Sequence, residues 1–350
     1  MAYGFSYTLP TISGSHTDFP VLLKADDFPA AAIDGTTNAI NNGGGNLVAW
    51  TSDAKTTRLP VEVVSFVSSG SPSAEVWIKI GTAATSGTIY IEADAVQTSQ
   101  PASTSTYGSE SVWSSDFAAV YHTNGTTDST GNGFTLTENN SIASTTTGAP
   151  FDGASSYDFD GVNQYLSNTS WTKVAYPLSV TMWSQSDTTG TTTPFSQGDS
   201  SAATVWDAYL WRSTNKAEQN VDGGIINTTG SLNSSYRHIH MNWQSTLYKI
   251  IVDGSAITST TSSATQNASA MTDLSIGALA RSGSKLYFNG KISTVFIRNV
   301  SVSDDQIATE YDNQSASSAW GTVGTWADAG GGSTFKPYWA LNKSESIGTG

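Results

Sequence analysis

Short runs of β-branched and aromatic residues, separated by clusters of Gly, Pro, Asn, Asp and Ser, recur along almost the whole chain. In AEVWIKIG, Val76, Ile78 and Ile80 alternate with bulkier or charged neighbours, as the two faces of a half-buried strand require. Such patterns at short, regular spacing favour a sandwich or barrel. The sequence therefore predicts an all-β fold. Other runs of this kind in the first hundred residues are FPVLLKA, LPVEVVSFVS and GTIYIEAD.

The length of 350 residues and one polar stretch divide the chain into two predicted domains. VQTSQPASTSTYGSES, residues 96–111, contains almost no apolar residues and is typical of a linker or surface crossover. We therefore expect an N-terminal β-sandwich at 1–97, a polar crossover at 98–116 and a second β domain at 117–326. A Gly-rich spacer and a C-terminal tail should follow at 327–350.

One helix is predicted near the end of the second domain, in SVSDDQIATEYDNQ. Ser303 is a good N-cap, and Asp304 and Asp305 follow it where the helix dipole favours negative charge. Ile307 and Tyr311 lie one turn apart and would share a buried face.

Charge and composition exclude several classes of function. The formal net charge is −14, from 15 basic and 29 acidic residues, so the chain offers no basic surface for nucleic acid. It contains no cysteine, which rules out disulfides, thiolate metal ligands and a thiol nucleophile. No window approaches the roughly 18–20 apolar residues of a membrane span, so we expect no membrane insertion.

Five segments of the second domain occur in a recognisable order. Together they resemble the landmarks of laminin-G-like, concanavalin A-like jelly rolls, and the resemblance covers residues 117–325. It implies that the second domain is a jelly roll closed by the predicted helix. The segments are AVYHTNGTTDSTGNGFTLT, YDFDGVNQYLS, LSVTMWSQS, RHIHMNWQSTLYKIIVDGS and FNGKISTVFIRNVSVSDDQIATEY.

The first hundred residues resemble a domain of unknown function that often precedes such jelly rolls, in HTDFPVLLKADDF and LVAWTSDAKTTRLPVEVVSF. This pairing occurs in secreted microbial proteins and, without a signal peptide, in phage virion proteins. The opening MAYGFSYTLP has no secretion pattern, so we expect synthesis in the host cytoplasm and a place in the virion.

The resemblance thus implies a non-enzymatic phage virion structural protein: a head fibre, a capsid decoration or a tail-associated protein. Its expected partners are other virion proteins of the capsid or tail, further copies of itself in a homo-oligomer, and glycans of the host surface. The alternative is a carbohydrate-binding or adhesin module of a bacterial surface protein. A glycoside hydrolase is the third class.

The loop DSTGNG, residues 128–133, admits two interpretations. As a turn, it uses Gly131 and Gly133 for backbone freedom, while Asp128 and Asn132 cap their own backbone. The resemblance adds a structural calcium, bound through the aspartate of this loop and an acidic residue of the final strand. Ser293 and Thr294 stand where the acidic pair is common. We expect no other cofactor.

Pairs of polar side chains elsewhere do not form a convincing catalytic centre. Asp158 and Asp160 share a strand face, but no further carboxylate accompanies them in the pattern of glycosidases of this fold, and a solvated face explains them. His238 and His240 also share a face and could ligate zinc, but no third histidine lies near them in sequence, and packing or cross-strand hydrogen bonding on a central strand is the favoured explanation. We expect no enzymatic activity.

Two groups of apolar residues remain as binding candidates. In VWDAYLW, the rings of Trp206, Tyr209 and Trp211 would form a sugar-stacking platform, or belong to the core. In the tail, five apolar side chains fall within thirteen residues, which favours burial against another subunit or virion protein, or back onto the jelly roll. These predicted anchoring residues are Phe335, Tyr338, Trp339, Leu341 and Ile347.

Overall fold

The computed structural model describes residues 2–35, 37–146, 150–151, 153–212, 215–232 and 235–329. Within them the protein is almost entirely β, arranged in four antiparallel sheets, which confirms the predicted fold class. None of the helices in this part of the chain is long and apolar enough to span a bilayer.

The N-terminal domain is a sandwich of two sheets. One sheet has the order β4-β3-β7-β1, and the other has the order β2-β6-β5. Its core lies between them and includes Phe5, Phe19 and Ile78. The elements are β1 (Tyr3–Thr8), β2 (His16–Leu23), α1 (Ala30–Ile33), β3 (Leu47–Trp50), β4 (Arg58–Leu59), β5 (Val61–Val67), β6 (Ser73–Ala83) and β7 (Thr88–Ala93), with a 3-10 turn at Ala25–Asp27.

The second domain begins after a 3-10 turn at Ser109–Val112 and supplies the strands of two larger sheets. These strands are β8 (Phe117–Tyr121), β9 (Thr137–Asn139), β10 (Ala143–Thr145), β11 (Ser156–Asp160), β12 (Tyr165–Asn168), β13 (Leu178–Ser186), β14 (Thr192–Gly198), β15 (Trp206–Arg212), β16 (Lys216–Val221), β17 (Gly224–Thr228), β18 (Arg237–Trp243), β19 (Leu247–Val252), β20 (Ser255–Thr261), β21 (Asp273–Ile276) and β22 (Asn289–Arg298).

The two larger sheets pack face to face. The eight-stranded sheet has the order β10-β11-β22-β13-β18-β19-β20, with β8 also paired to β22. The seven-stranded sheet has the order β17-β16-β15-β14-β21-β12-β9. The largest apolar cluster of the protein fills the space between them, with Phe159, Phe195 and Trp243 fully buried.

The predicted helix is present as α2 (Asp304–Ser315). It begins as expected, because the Ser303 hydroxyl accepts a hydrogen bond from the Gln306 amide at 3.2 Å. Ile307 is buried against Ile251 on the outer face of the eight-stranded sheet. The cap and the first-turn aspartates therefore identify this helix correctly.

The N-terminal domain covers the outer face of the same eight-stranded sheet. Trp77 of β6 contacts two rings of the second domain. Its ring centroid lies 5.5 Å from that of Trp113, which precedes β8, and 5.6 Å from that of Phe296 in β22. Buried next to these rings, His122 places Nε2 3.2 Å from Glu62 Oε2 and Nδ1 2.8 Å from Glu75 Oε1. Apolar and charged side chains together thus join the two domains.

The last described residues return to the N-terminal domain. Two short strands, β23 (Thr322–Val323) and β24 (Ala327–Asp328), pair with β1. Trp320 and Trp326 pack against the N-terminal core. This differs from the predicted boundary at 326, because short strands that complete a sheet elsewhere in the molecule carry no local pattern that shows which domain they join.

Candidate functional site

The predicted aromatic platform is not formed. Tyr209 and Trp211 lie in the core between the two larger sheets, with 1% and 0% of their surface exposed. Trp206 points to the other side of β15 but is covered there, since it clusters with Leu210 and Leu279. None of these rings is open to a sugar, which corrects the prediction.

The outer face of the seven-stranded sheet is crossed by the loop 277–288. Ser196 of β14 holds this loop down, because its hydroxyl donates to the Ala278 carbonyl at 2.9 Å and accepts from the Ala280 amide at 2.8 Å. Gly277 starts the loop with φ +85°, and a Cβ there would lie 2.5 Å from the Phe159 ring. Glycine is therefore required at position 277, where the chain leaves the sheet and enters the loop.

A cavity of about 150 Å³ lies between this loop and strands β12 and β21. Side chains from four segments that are distant in the sequence line its wall. They are Tyr165 and Ser167 of β12, Asp273 and Ser275 of β21, Lys285 of the crossing loop, and Ser200 of the turn after β14. We call this feature the β12–β21 cavity.

Polar atoms of β21 contribute to the lining of the cavity. The Asp273 carboxylate is nearly buried, and its Oδ2 accepts hydrogen bonds from the Ser200 amide at 2.9 Å and the Thr272 hydroxyl at 3.3 Å. The Ser275 hydroxyl is buried and has no hydrogen-bond partner among the described residues. A buried hydroxyl without a partner costs free energy, which a ligand atom at this position would recover.

An aromatic wall faces these polar groups. Tyr165 is half-buried, and its ring centroid lies 5.9 Å from that of Tyr287. The Lys285 ammonium lies 5.4 Å from the centroid of the Tyr165 ring. The cavity thus combines an aromatic surface with a carboxylate, a hydroxyl and a cation, groups that can contact and hydrogen-bond a small polar ligand.

The sequence pattern did not single out this site. Tyr165 and Leu166 occupy opposite faces of β12, and the buried Leu166 is the residue that the hydrophobic pattern detects. The signal that could have found two of the cavity residues is the alternation of side chains along β12, which places Tyr165 and Ser167 on the outer face of the sheet. Asp273 and Lys285 come from segments more than one hundred residues further along the chain, so no local motif joins them.

The Asp128 loop has the geometry of a capped turn. Asp128 Oδ1 accepts from the amides of Val120 and Thr130 at 3.1 and 2.9 Å, and Oδ2 accepts from the Phe134 amide at 3.1 Å. Burial raises the pKa of Asp128, and these hydrogen bonds act in the opposite direction. Both oxygens already have donors, whereas a calcium ligand would direct them at the ion.

The paired histidines and aspartates also have structural surroundings. His238 and His240 are fully buried on β18, and burial lowers the pKa of His238 to about 3. His240 Nδ1 lies 2.7 Å from the Thr181 hydroxyl. Asp158 lies 3.5 Å from the Lys291 ammonium, and Asp160 caps the exposed turn at Val162. No group of three potential metal ligands occurs in the described part of the chain.

The predicted anchoring residues Phe335, Tyr338, Trp339, Leu341 and Ile347 lie outside the described residues. The anchoring tail therefore stays a prediction.

No protein-family model and no curated protein matches this chain. Solved structures do show similarity to it. One is the CBM40 of the Ruminococcus gnavus IT-sialidase bound to alpha2,3 sialyllactose, with 10% identity, a TM-score of 0.36, and coverage of 39% of this chain and 83% of that chain.

Two further structures match a larger part of the chain. Domain 4 of AbnA, a GH43 extracellular arabinanase from Geobacillus stearothermophilus in complex with arabinotriose, has 18% identity and a TM-score of 0.44, covering 55% of this chain and 97% of that one. The receptor binding domain of botulinum neurotoxin C/D mosaic serotype has 9% identity and a TM-score of 0.46, covering 57% of this chain and 51% of that one.

Proposed function

We propose that this protein is a non-catalytic glycan-binding protein that holds one sugar unit in the β12–β21 cavity. The observation that carries the proposal is the half-buried Tyr165 ring in a cavity also lined by the Asp273 carboxylate and the unpartnered Ser275 hydroxyl. An aromatic ring can contact the apolar face of a pyranose, while carboxylate and hydroxyl groups accept and donate hydrogen bonds to its hydroxyls.

The size of the cavity suits one sugar ring. At about 150 Å³ it is smaller than the roughly 300–1,000 Å³ of sites for drug-sized ligands. A longer glycan would therefore place one unit in the cavity and extend the others over the outer face of the sheet. We expect weak affinity for a single site, increased when several copies engage a surface together.

The lining of the cavity favours binding over hydrolysis. Glycosidases generally use two carboxyl groups, one as acid and one as base or nucleophile. Among the described residues, Asp273 is the only carboxylate that lines the cavity. A single carboxylate can orient a sugar hydroxyl but does not supply both proton-transfer roles.

The arrangement of the two domains supports a role in which the outer face of the seven-stranded sheet meets the glycan. The N-terminal domain and α2 cover the eight-stranded sheet, whereas the β12–β21 cavity lies on the outer face of the other sheet. The protein could therefore be held through its N-terminal domain while the cavity faces a glycan. Display on a virion, with other virion proteins and further copies as partners, is one setting for this role and stays a prediction.

Glycan binding is tested with the intact protein and one pair of variants. The wild-type protein is screened on an array of oligosaccharides, and the best ligands are titrated by calorimetry. Tyr165→Ala should weaken binding at least about tenfold, because it removes the aromatic wall. Tyr107→Ala is the matched control, since Tyr107 is 39% exposed in the crossover and also lies next to a cation, Arg58.

Both variants must first show the unfolding temperature and circular dichroism of the wild type. Equal affinity of wild type and Tyr165→Ala for every bound glycan would refute this location for the site. Failure to bind any glycan on a broad array would refute the proposed function.

A further inference from the structure

Lys285 is one of several basic side chains of the described residues that form no ion pair with Asp or Glu. Six lysines and arginines of the described residues form ion pairs with Asp or Glu. Lys285 is in none of these pairs, and its ammonium lies over the Tyr165 ring instead. What distinguishes Lys285 is its place in the cavity wall, beside an aromatic ring and with no ion pair to a carboxylate of the described residues.

The position of Lys285 is fixed by the fold. The Leu279 amide donates to the Lys285 carbonyl at 2.6 Å, and the Thr193 amide donates to the Leu286 carbonyl at 2.9 Å. These bonds hold the backbone of the crossing loop at Lys285 and at the residue that follows it. The ammonium is therefore presented to the cavity by ordered backbone and does not depend on a free surface loop.

We propose that the β12–β21 cavity selects sugars that carry a carboxylate, such as uronic or sialic acids, and that Lys285 is the residue that recognises the charge. This inference rests on the proposed glycan-binding function and names its ligand class. A neutral sugar would bury the ammonium without a counter-charge, whereas a sugar carboxylate would give it a charge-assisted hydrogen bond.

The cavity also dictates the orientation of such a ligand. The carboxylate of the sugar must lie against Lys285, because the opposite orientation would set it against the Asp273 carboxylate. The ring then lies along Tyr165, and its hydroxyls reach Asp273 and the unpartnered Ser275 hydroxyl. Lys285, Asp273 and Ser275 each receive a partner of suitable chemistry in this arrangement.

The test uses pairs of sugars that differ only in charge. Methyl glycosides of glucuronic, galacturonic and N-acetylneuraminic acid are each titrated alongside the alcohol obtained by reducing the carboxylate. For at least one pair we expect the acid to bind at least about tenfold more tightly, because a hydrogen bond to a charged group is lost in the alcohol. The preference should decrease with increasing salt.

Variants of Lys285 locate this preference. Lys285→Met keeps the apolar stem and should abolish the difference between acid and alcohol, while Lys285→Arg should retain it. Lys216→Met is the control and should leave the preference unchanged. Lys216 lies in β16, near the opposite edge of the same sheet from β12. Sodium acetate at the same concentration should not compete, since the sugar ring supplies the remaining contacts.

Five results would overturn the inference. Equal binding of acid and alcohol in every pair, or a preference that survives Lys285→Met, would contradict charge recognition while leaving glycan binding intact. Competition by acetate as strong as by the acidic sugar would show a simple anion site. Failure of every acid and every alcohol to bind, while the array shows binding of other glycans, would contradict the inference alone. Failure to bind any glycan on the array would contradict the proposed function together with the inference.

Discussion

At the scale of single residues, Asp128 shows which hydrogen bonds a short motif makes. The sequence allowed both a turn and a calcium loop, because the same Asp and Gly residues serve either. In the structure, three backbone amides point at the two carboxylate oxygens. These donors give the aspartate a structural role that needs no ion.

We predict that calcium contributes little to stability. Addition of EDTA should change the unfolding temperature by less than about 2 °C, because an ion that binds only weakly to the folded state shifts its stability little. Differential scanning calorimetry with and without excess calcium provides the measurement. A decrease of about 10 °C or more on chelation would show that the loop binds the ion.

His122 lies between two carboxylates at the domain interface. Burial alone would lower the pKa of His122, but the carboxylates of Glu62 and Glu75 outweigh it and raise the pKa to about 10. Glu62 is further held by the Trp113 indole at 2.6 Å and the Ser129 hydroxyl at 2.7 Å. The imidazolium therefore links two strands of the N-terminal domain to the second domain.

This raised pKa predicts a dependence of stability on pH. A group with a folded pKa above its unfolded value of about 6.5 stabilises the protein fully below pH 6.5, and the contribution is lost as the pH rises toward 10. Between pH 7 and 9 the free energy of unfolding should fall by about 1–3 kcal/mol more in the wild type than in His122→Gln. Denaturant unfolding at several pH values measures this difference, and parallel curves for the two proteins would contradict it.

At the scale of elements, β15 explains why the aromatic platform failed. Side chains alternate on a strand, so Tyr209 and Trp211 share one face while Trp206 takes the other. On such a strand, three aromatic rings at positions 206, 209 and 211 could not all face one ligand. Which face is buried depends on the second sheet and on the loop 277–288, and neither is visible in the local pattern.

The helix α2 was predictable and yet has a role that the sequence did not reveal. The cap at Ser303 and the spacing of Ile307 and Tyr311 are local signals. Asn313 instead acts across the domain boundary, because its side chain accepts from the Leu22 amide at 2.8 Å and donates to the Leu22 carbonyl at 2.9 Å. It thereby satisfies the outer backbone groups of β2, an edge strand of its sheet.

We predict that Asn313→Ala is strongly destabilising. Two buried backbone groups of Leu22 would lose their partner, which should cost about 2–4 kcal/mol of unfolding free energy. Asp312→Ala is the control, since Asp312 is exposed on the neighbouring position and should change stability by no more than about 0.5 kcal/mol. Urea unfolding measures both, and equal stability of the two variants would show that the contact contributes nothing.

At the scale of the whole molecule, the first and last described strands belong to one sheet. The Trp320 amide donates to Asp27 Oδ1 at 2.8 Å, and the Gly321 amide donates to the Tyr7 hydroxyl at 2.7 Å. The N-terminal sandwich therefore contains residues from both ends of the described chain. Local patterns predicted two β domains, but pairing between such distant segments depends on the complete fold.

We predict that a chain ending at Ala319 is less stable than one ending at Ala329. The shorter chain lacks β23 and β24 and leaves part of the N-terminal core without Trp320 and Trp326, which should cost about 3 kcal/mol or more. The longer chain retains all described residues and is the control. Identical unfolding curves would show that these strands are dispensable.

The central claim is that a glycan occupies the β12–β21 cavity, and the most direct measurement is a crystal structure of the protein with the tightest-binding oligosaccharide. The account predicts one sugar ring along Tyr165, with hydroxyls within hydrogen-bond distance of Asp273 and Ser275. Sugar density on another surface, with this cavity empty, would contradict it.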